Sequence, residues 1–218
     1  MRSYLWPLTF VLLLICSSAA FAGDTVFMPT GNQVAKGDFE YNFIFVDLDT
    51  PQGAPDYAMI HEFFFGLTER LEVDVNVLDL EGNEEDVEIN PYFTFVKETD
   101  DHPSFIAGTY NLFRTNFGGD NRMSPFCLSS YNIFKPAAAP SLSDPLIRGH
   151  FGWGTGQHDS DFFGGVQFLV DPKIGGAVYN YQGDMAFIGV YRPRKCLELR
   201  GGTLGGDEWG SFGIFATW

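Results

Sequence analysis

Leu71-Glu72-Val73-Asp74-Val75-Asn76-Val77 alternates apolar and polar residues without a break. Successive side chains of a strand point to opposite faces. Leu71, Val73, Val75 and Val77 therefore share one apolar face, and Glu72, Asp74 and Asn76 share a polar one. Upstream, Met59 to Leu67 sets Phe63, Phe65 and Leu67 against Glu62 and Gly66, and the tight turn Thr68-Glu69-Arg70 joins the two segments. Beyond the acidic stretch Glu81–Asp86, Val87 to Val96 opposes Val87 and Ile89 to Glu88 and Asn90. Adjacent alternating segments joined by short turns read as antiparallel strands.

The same unit recurs along the chain, seven to eleven residues and then a turn. Asp38 to Leu48 places Phe39, Tyr41, Phe43 and Phe45 opposite Asp38, Glu40 and Asn42. Ser104 to Phe113 carries Ile106, Tyr110 and Leu112 around Gly108, and Ser124–Phe134 is apolar on both sides, so its facing stays open. Shorter segments follow: Leu146–Trp153, Phe162–Val170, Gly176–Tyr181, Met185–Tyr191, Cys196–Thr203 and Trp209–Trp218. No segment has the 3.6-residue periodicity and caps of an amphipathic helix. That makes twelve candidate strands, with ten as the lower bound. An even number returns both ends of the sheet to one side, as an exported barrel requires. Long and short connections alternate for most of the chain. The exceptions are the long Lys135–Pro145 on the short side and Gln182–Asp184 on the long side.

The first 22 residues read as an export signal. Arg2 gives a positive start, Leu8 to Ile15 an apolar core, and Ala20-Phe21-Ala22 a small-x-small cleavage site before Gly23. The apolar run is too short to span as a helix. The expected domains are a cleaved signal peptide, 1–22, and one β-barrel, 23–218. Arg2 is the only charge in that signal, so cleavage leaves the chain one unit more acidic than its formal net charge of −15. Such a balance argues against nucleic acid as a partner, which requires basic patches. Only Cys127 and Cys196 remain after cleavage. They pair in an oxidising compartment or stand apart as two strand residues, and spacing alone does not decide.

At the carboxy end, Phe212, Ile214, Ala216 and Trp218 fall on one face of the last strand. This ending resembles the signal by which outer-membrane barrels are recognised, which implies the barrel-assembly machinery as a partner. A longer likeness begins at Gly66-Leu67-Thr68-Glu69-Arg70-Leu71-Glu72-Val73, which resembles the Gly-Leu-Thr-(Asp/Glu)-Arg-(Leu/Phe)-Glu-Val hairpin of bacterial outer-membrane barrels. Asn90-Pro91-Tyr92 followed by Pro103-Ser104-Phe105-Ile106-Ala107-Gly108 is similar to their next hairpin. Phe163-Gly164-Gly165-Val166 and Gly189-Val190-Tyr191-Arg192-Pro193 resemble later ones. The group most resembled is that of the YjbH-like barrels of exopolysaccharide loci, whose full-length members are much larger. The likeness runs from about Met28 onward. It implies a single up-and-down antiparallel transmembrane β-barrel in the outer membrane, with lipid and envelope polysaccharide as partners.

Chemistry is sparse. There is no nucleophile elbow, no phosphate loop, and His61-Glu62 lacks the second histidine of a zinc helix. The expectation is a non-enzymatic protein without cofactor or metal. Ser129 or Ser130 with His150 is the one nucleophile–base pairing available, and a lipid-modifying enzyme would need it on the outer wall. Gln157-His158-Asp159-Ser160-Asp161 has too few ligands for a defined calcium loop and reads as a solvated outer loop. If the apolar faces meet lipid, Glu40, Glu62, Glu72, Asp74 and Glu88 point into the lumen from the first four strands. Arg148, His150 and Arg200 then point inward from the seventh and eleventh. Those charges either neutralise one another in a filled lumen or line a narrow, cation-preferring or sugar-binding channel. The rival from another class is a soluble periplasmic lipocalin-like barrel binding an apolar ligand. It inverts the arrangement, with apolar faces inside and acidic faces to water.

Overall fold

The computed structural model describes residues 33–47, 57–80, 86–115, 122–134, 147–156, 162–171, 173–181, 183–194, 197–204 and 207–217. Residues 1–32, Gln157–Asp161, Cys196 and Trp218 lie outside them. So do the readings placed there: the signal peptide, the outer loop, the cysteine pairing and the terminal aromatic.

Among the described residues twelve strands form: β1 (Asp38–Asp47), β2 (Tyr57–Gly66), β3 (Leu71–Leu80), β4 (Asp86–Val96), β5 (Ser104–Tyr110) and β6 (Ser124–Phe134), then β7 (Ile147–Gly154), β8 (Phe162–Asp171), β9 (Ile174–Tyr181), β10 (Asp184–Arg194), β11 (Leu197–Leu204) and β12 (Asp207–Thr217). Each pairs antiparallel with its sequence neighbours, and β1 pairs with β12 to close the barrel. Full closure leaves no unpaired edge, the only way a sheet satisfies its backbone in lipid. The all-β, up-and-down architecture expected from the alternation is the one observed. The strand starts and ends differ from the sequence reading by a few residues; β9 begins at Ile174, for instance, and β5 ends at Tyr110.

Several of the segments read from sequence, such as Leu146–Trp153 and Met185–Tyr191, have only seven or eight residues. In the structure β1 to β4, β6, β8, β10 and β12 each run ten or eleven residues, while β5 runs seven and β7, β9 and β11 run eight. A tilted spanning strand needs about 9–11. β10 is longer than its sequence segment because its ladder with β9 begins at Asp184 and its pairing with β11 resumes at Arg194 after a register shift past Pro193, where composition suggests turns.

The radial distribution of side chains is the reverse of a water-soluble protein's. Glu40, Asn42, Glu72, Asp74, Asn90 and Glu198 are buried, while Phe95, Phe113, Phe151, Phe162, Phe187 and Ile133 lie mostly exposed. In β3, Leu71, Val73, Val75 and Val77 face outward and Glu72, Asp74 and Asn76 inward. The interior is not purely polar. Ile44, Phe64, Ile106, Leu128 and Ile188 are also buried, beside a chain of rings from Tyr92 through Tyr110 and Phe126 to Phe163. Gly152 makes room for that chain, since a Cβ there would sit 2.4 Å from the Phe163 ring. In β5, whose facing the alternation leaves open, Ile106 and Tyr110 face the lumen and Phe105 turns outward. β6 resolves likewise, with Phe126 and Leu128 inside and Cys127 exposed and free on the outer wall.

At the end where β1 begins and β12 finishes, two turns are tied together. The Lys97 ammonium lies 2.9 Å from Glu69 of the β2–β3 turn. Its hydrogen bond and charge hold the Glu69 carboxyl below the usual range. Both groups are exposed, so the tie orients the turns more than it stabilises them.

Candidate functional site: the polar lumen

Register assembles the lumen from residues far apart in sequence. Asn42 of β1 pairs with Glu62 of β2, Glu62 with Asn76 of β3, and Asn76 with Glu88 of β4. Through Gly213, Asn42 also aligns with Glu198 of β11. Carboxylates and amides thus alternate around nearly half the wall. The amides donate: Asn42 to Glu40 at 3.0 Å and Glu62 at 3.2 Å, Asn76 to Glu88 at 3.0 Å, and Asn90 to Asp74 and Glu88 at 2.9 Å each. An amide between two carboxylates separates like charges and supplies each with a donor.

Cations come from the other side. Arg200 bonds Glu198 through Nε and reaches Glu40 at 3.8 Å, while Arg192 holds the second Glu198 oxygen at 2.7 Å. These four groups form one network across β10, β11 and β1, buried except at Arg192. A second network sits on β6 and β7. Arg148 meets Glu98 at 2.8 Å and donates to Asn132 at 2.9 Å, and the other Glu98 oxygen accepts from the Asn132 backbone at 2.7 Å. Glu98 belongs to the β4–β5 connection, which therefore reaches past β5 to the wall formed by β6 and β7.

Glu40, Glu62, Glu72, Asp74, Glu88, Arg148, His150 and Arg200, the residues anticipated for the lumen, are all buried. They do not make a single site. Glu40 and Arg200 share one network, Asp74 and Glu88 share Asn90, Arg148 stands with Glu98, and Glu72 turns to the amino-terminal segment. Glu198 and Arg192 were missed, although Leu197-Glu198-Leu199-Arg200 alternates as plainly as β3 does.

His150 and Ser130 do meet, 2.7 Å apart through Nδ1, on directly paired strands. The His150 Nε2 lies 3.1 Å from Gln167 Oε1. With that oxygen accepting, Nε2 carries the proton and Nδ1 accepts from the Ser130 hydroxyl. The polarity is that of a base-activated serine, but the ring lies against Tyr179 in the barrel interior and both side chains are buried. The sequence reading required this pair on the lipid-facing wall, and the structure places it on the lumen side. Here it serves as a satisfied polar chain linking β6, β7 and β8.

No protein-family model matches the chain, and no curated protein matches it in sequence. Among solved structures, the NanC porin in its rhombohedral crystal form is similar over 82% of this chain and 97% of that one, with 12% identity and a TM-score of 0.49. An outer-membrane channel from Pseudomonas putida F1 is similar over 82% and 93%, with 11% identity and a TM-score of 0.40. A de novo designed transmembrane β-barrel is similar over 83% and 97%, with 8% identity and a TM-score of 0.29.

The described interior is packed. Tyr179, Phe64, Ile44, Glu40, Glu72, Glu198, Asn42, Asn90 and Asp74 are each less than 2% or about 2% exposed, so water does not run along them. Among the described residues no cluster of histidine, cysteine and carboxylates is arranged to hold a metal ion. Phe212, Ile214 and Ala216 lie in β12, in register with Phe43, Tyr41 and Phe39 of β1. The stretch read as an assembly signal therefore also forms half of the closing seam.

Proposed function

We propose that this chain is a bacterial outer-membrane β-barrel with a structural, envelope-associated role, whose lumen is closed at rest. The observation that carries the reading is the inverted wall: carboxylates, amides and arginines buried inside a closed sheet, phenylalanines exposed outside. Charge on a lipid face costs roughly 2–4 kcal/mol at mid-bilayer, whereas apolar rings there cost nothing. The soluble lipocalin-like alternative requires the opposite facing. The signal peptide at 1–22 supplies the export route, and the terminal strand the contact with the assembly machinery. The YjbH-like motifs support an association with exopolysaccharide at the envelope. The mature protein is expected in the outer-membrane fraction, resistant to carbonate and migrating faster on gels before boiling than after. Recovery of most of it as soluble periplasmic protein overturns the reading.

A narrow pore is the second reading, and one wall favours it. Glu40, Glu62, Glu72, Asp74 and Glu88 all enter from β1 to β4, and acidic walls select cations at close quarters. Planar-bilayer recordings of the mature protein are expected to show little or no conductance, and cation preference in whatever passes. Anion selectivity would remove the acidic wall from any account of transport.

A further inference from the structure

The segment before β1 does not leave the barrel. Val34 is 4% exposed and packs with the core of the lumen, while Ala35 and Lys36 beside it are open to solvent. The Val34 backbone N–H donates to the buried Glu72 carboxylate. Gln33 contacts the Thr94 hydroxyl through its side-chain oxygen and donates to the Tyr92 carbonyl at 3.4 Å. Asp38 donates back to Ala35 at 2.9 Å, and Gly37 to Gly66 at 2.8 Å. Gly37 has a φ of 83°, a left-handed value that glycine adopts without strain. The chain thus reverses at Gly37 and turns inward across the ends of β2, β3 and β4.

Gly66 is the seat. A Cβ built there would lie 1.9 Å from the Ala35 carbonyl oxygen and 2.7 Å from that of Val34. Those neighbours are backbone, so no rotamer change relieves the clash. Nothing in β2 itself demands glycine at this position, since its φ is not among the positive ones. The absent side chain makes room for the incoming segment.

We propose that Gln33–Gly37 is a plug that closes the lumen at the end where both edges of the closing seam emerge, held by Glu72 and seated on Gly66. At the same end of the barrel, Glu98 of the β4–β5 connection is held by Arg148 of β7. The plug is shallow, with one apolar side chain inside and its own hinge at Gly37. The closure itself rests on these contacts. Its meaning as a gate rests on the narrow-pore reading.

The test is the reactivity of single cysteines toward a membrane-impermeant maleimide, in mature protein carrying Cys127→Ser and Cys196→Ser. V34C is expected to react at least tenfold more slowly than A35C. Adding Gly66→Val is expected to bring the two rates within about twofold, in protein that still shifts its gel migration on heating. Glu72→Gln leaves the seat intact and removes the charged acceptor, and is expected to raise the V34C rate several-fold; it decides the matter if Gly66→Val fails to fold. Equal rates for V34C and A35C in the parent, or a V34C that stays protected in folded Gly66→Val protein, overturn the plug. Conductance is measured on the same Gly66→Val protein, where the narrow-pore reading expects a rise and a lumen filled by its own side chains expects none. If V34C is exposed and conductance does not rise, the plug stands and the pore reading falls.

Discussion

Phe151→Arg is expected to weaken folding into lipid vesicles by about 2–4 kcal/mol, the cost of an arginine facing the middle of a bilayer. Phe151 lies in the middle of β7, 61% exposed, with its ring stacked 5.4 Å from that of Phe162, itself 57% exposed. Two stacked rings projecting from a wall are unfavourable in water and well placed in lipid. In an aqueous protein the same substitution would exchange an exposed phenylalanine for a solvated charge, with an effect within about 0.5 kcal/mol. The contrast makes one substitution diagnostic of the medium. The measurement is the urea midpoint of folding into vesicles, with heat-modifiable migration as the folded marker. Val75→Arg on the outer face of β3 is expected to act in the same direction. A midpoint unchanged by Phe151→Arg would mean that the exposed wall meets water.

The wall was legible in sequence because it needs only period two. β1 to β4 announce their facing through residues such as Glu40 against Phe39 and Asp74 against Val75, and pairing neighbours in order then closes the barrel. Where both faces are apolar the signal vanishes. β5 and β6 offer Phe105 against Ile106 and Cys127 against Leu128, and nothing local decides which meets lipid. The register with β4 and β7 settles it, by bringing Tyr92, Tyr110, Phe126 and Phe163 together inside. That aromatic half of the lumen was missed because a membrane barrel is expected to be polar within.

The closure of the mouth was illegible for another reason. Val34 and Glu72 are 38 positions apart, and Asn132 and Glu98 are 34 apart. Neither contact belongs to a strand ladder, so no alternation predicts it. Gly66 looked like part of a hairpin motif, and only the backbone lying against it reveals what its missing side chain permits. Glu198 is different: its place two residues before Arg200 was available to the same reasoning that found Arg200.

Arg200→Met is expected to destabilise the folded barrel by about 3–5 kcal/mol, the usual consequence of removing one partner from a buried ionic network. Arg200 is the cation shared by Glu198 and Glu40, and both carboxylates are buried. Methionine fills a similar volume, so the loss reports charge more than packing. Arg192 stays on Glu198 at 2.7 Å and blunts the effect on that residue. Glu40 has no such reserve among the contacts described: its remaining donor is the Asn42 amide at 3.0 Å. The penalty should therefore concentrate on Glu40. Glu40→Gln in the Arg200→Met background is expected to recover more stability than Glu198→Gln in the same background. Denaturation midpoints in matched vesicles, taken as two double-mutant cycles, give the coupling of Arg200 to each carboxylate. Greater recovery from Glu198→Gln would place the energetic centre of the network on β11 and leave Glu40 a bystander. Full stability in Arg200→Met alone would mean that the lumen is wet enough to solvate both carboxylates, and the packed, closed interior would have to be given up.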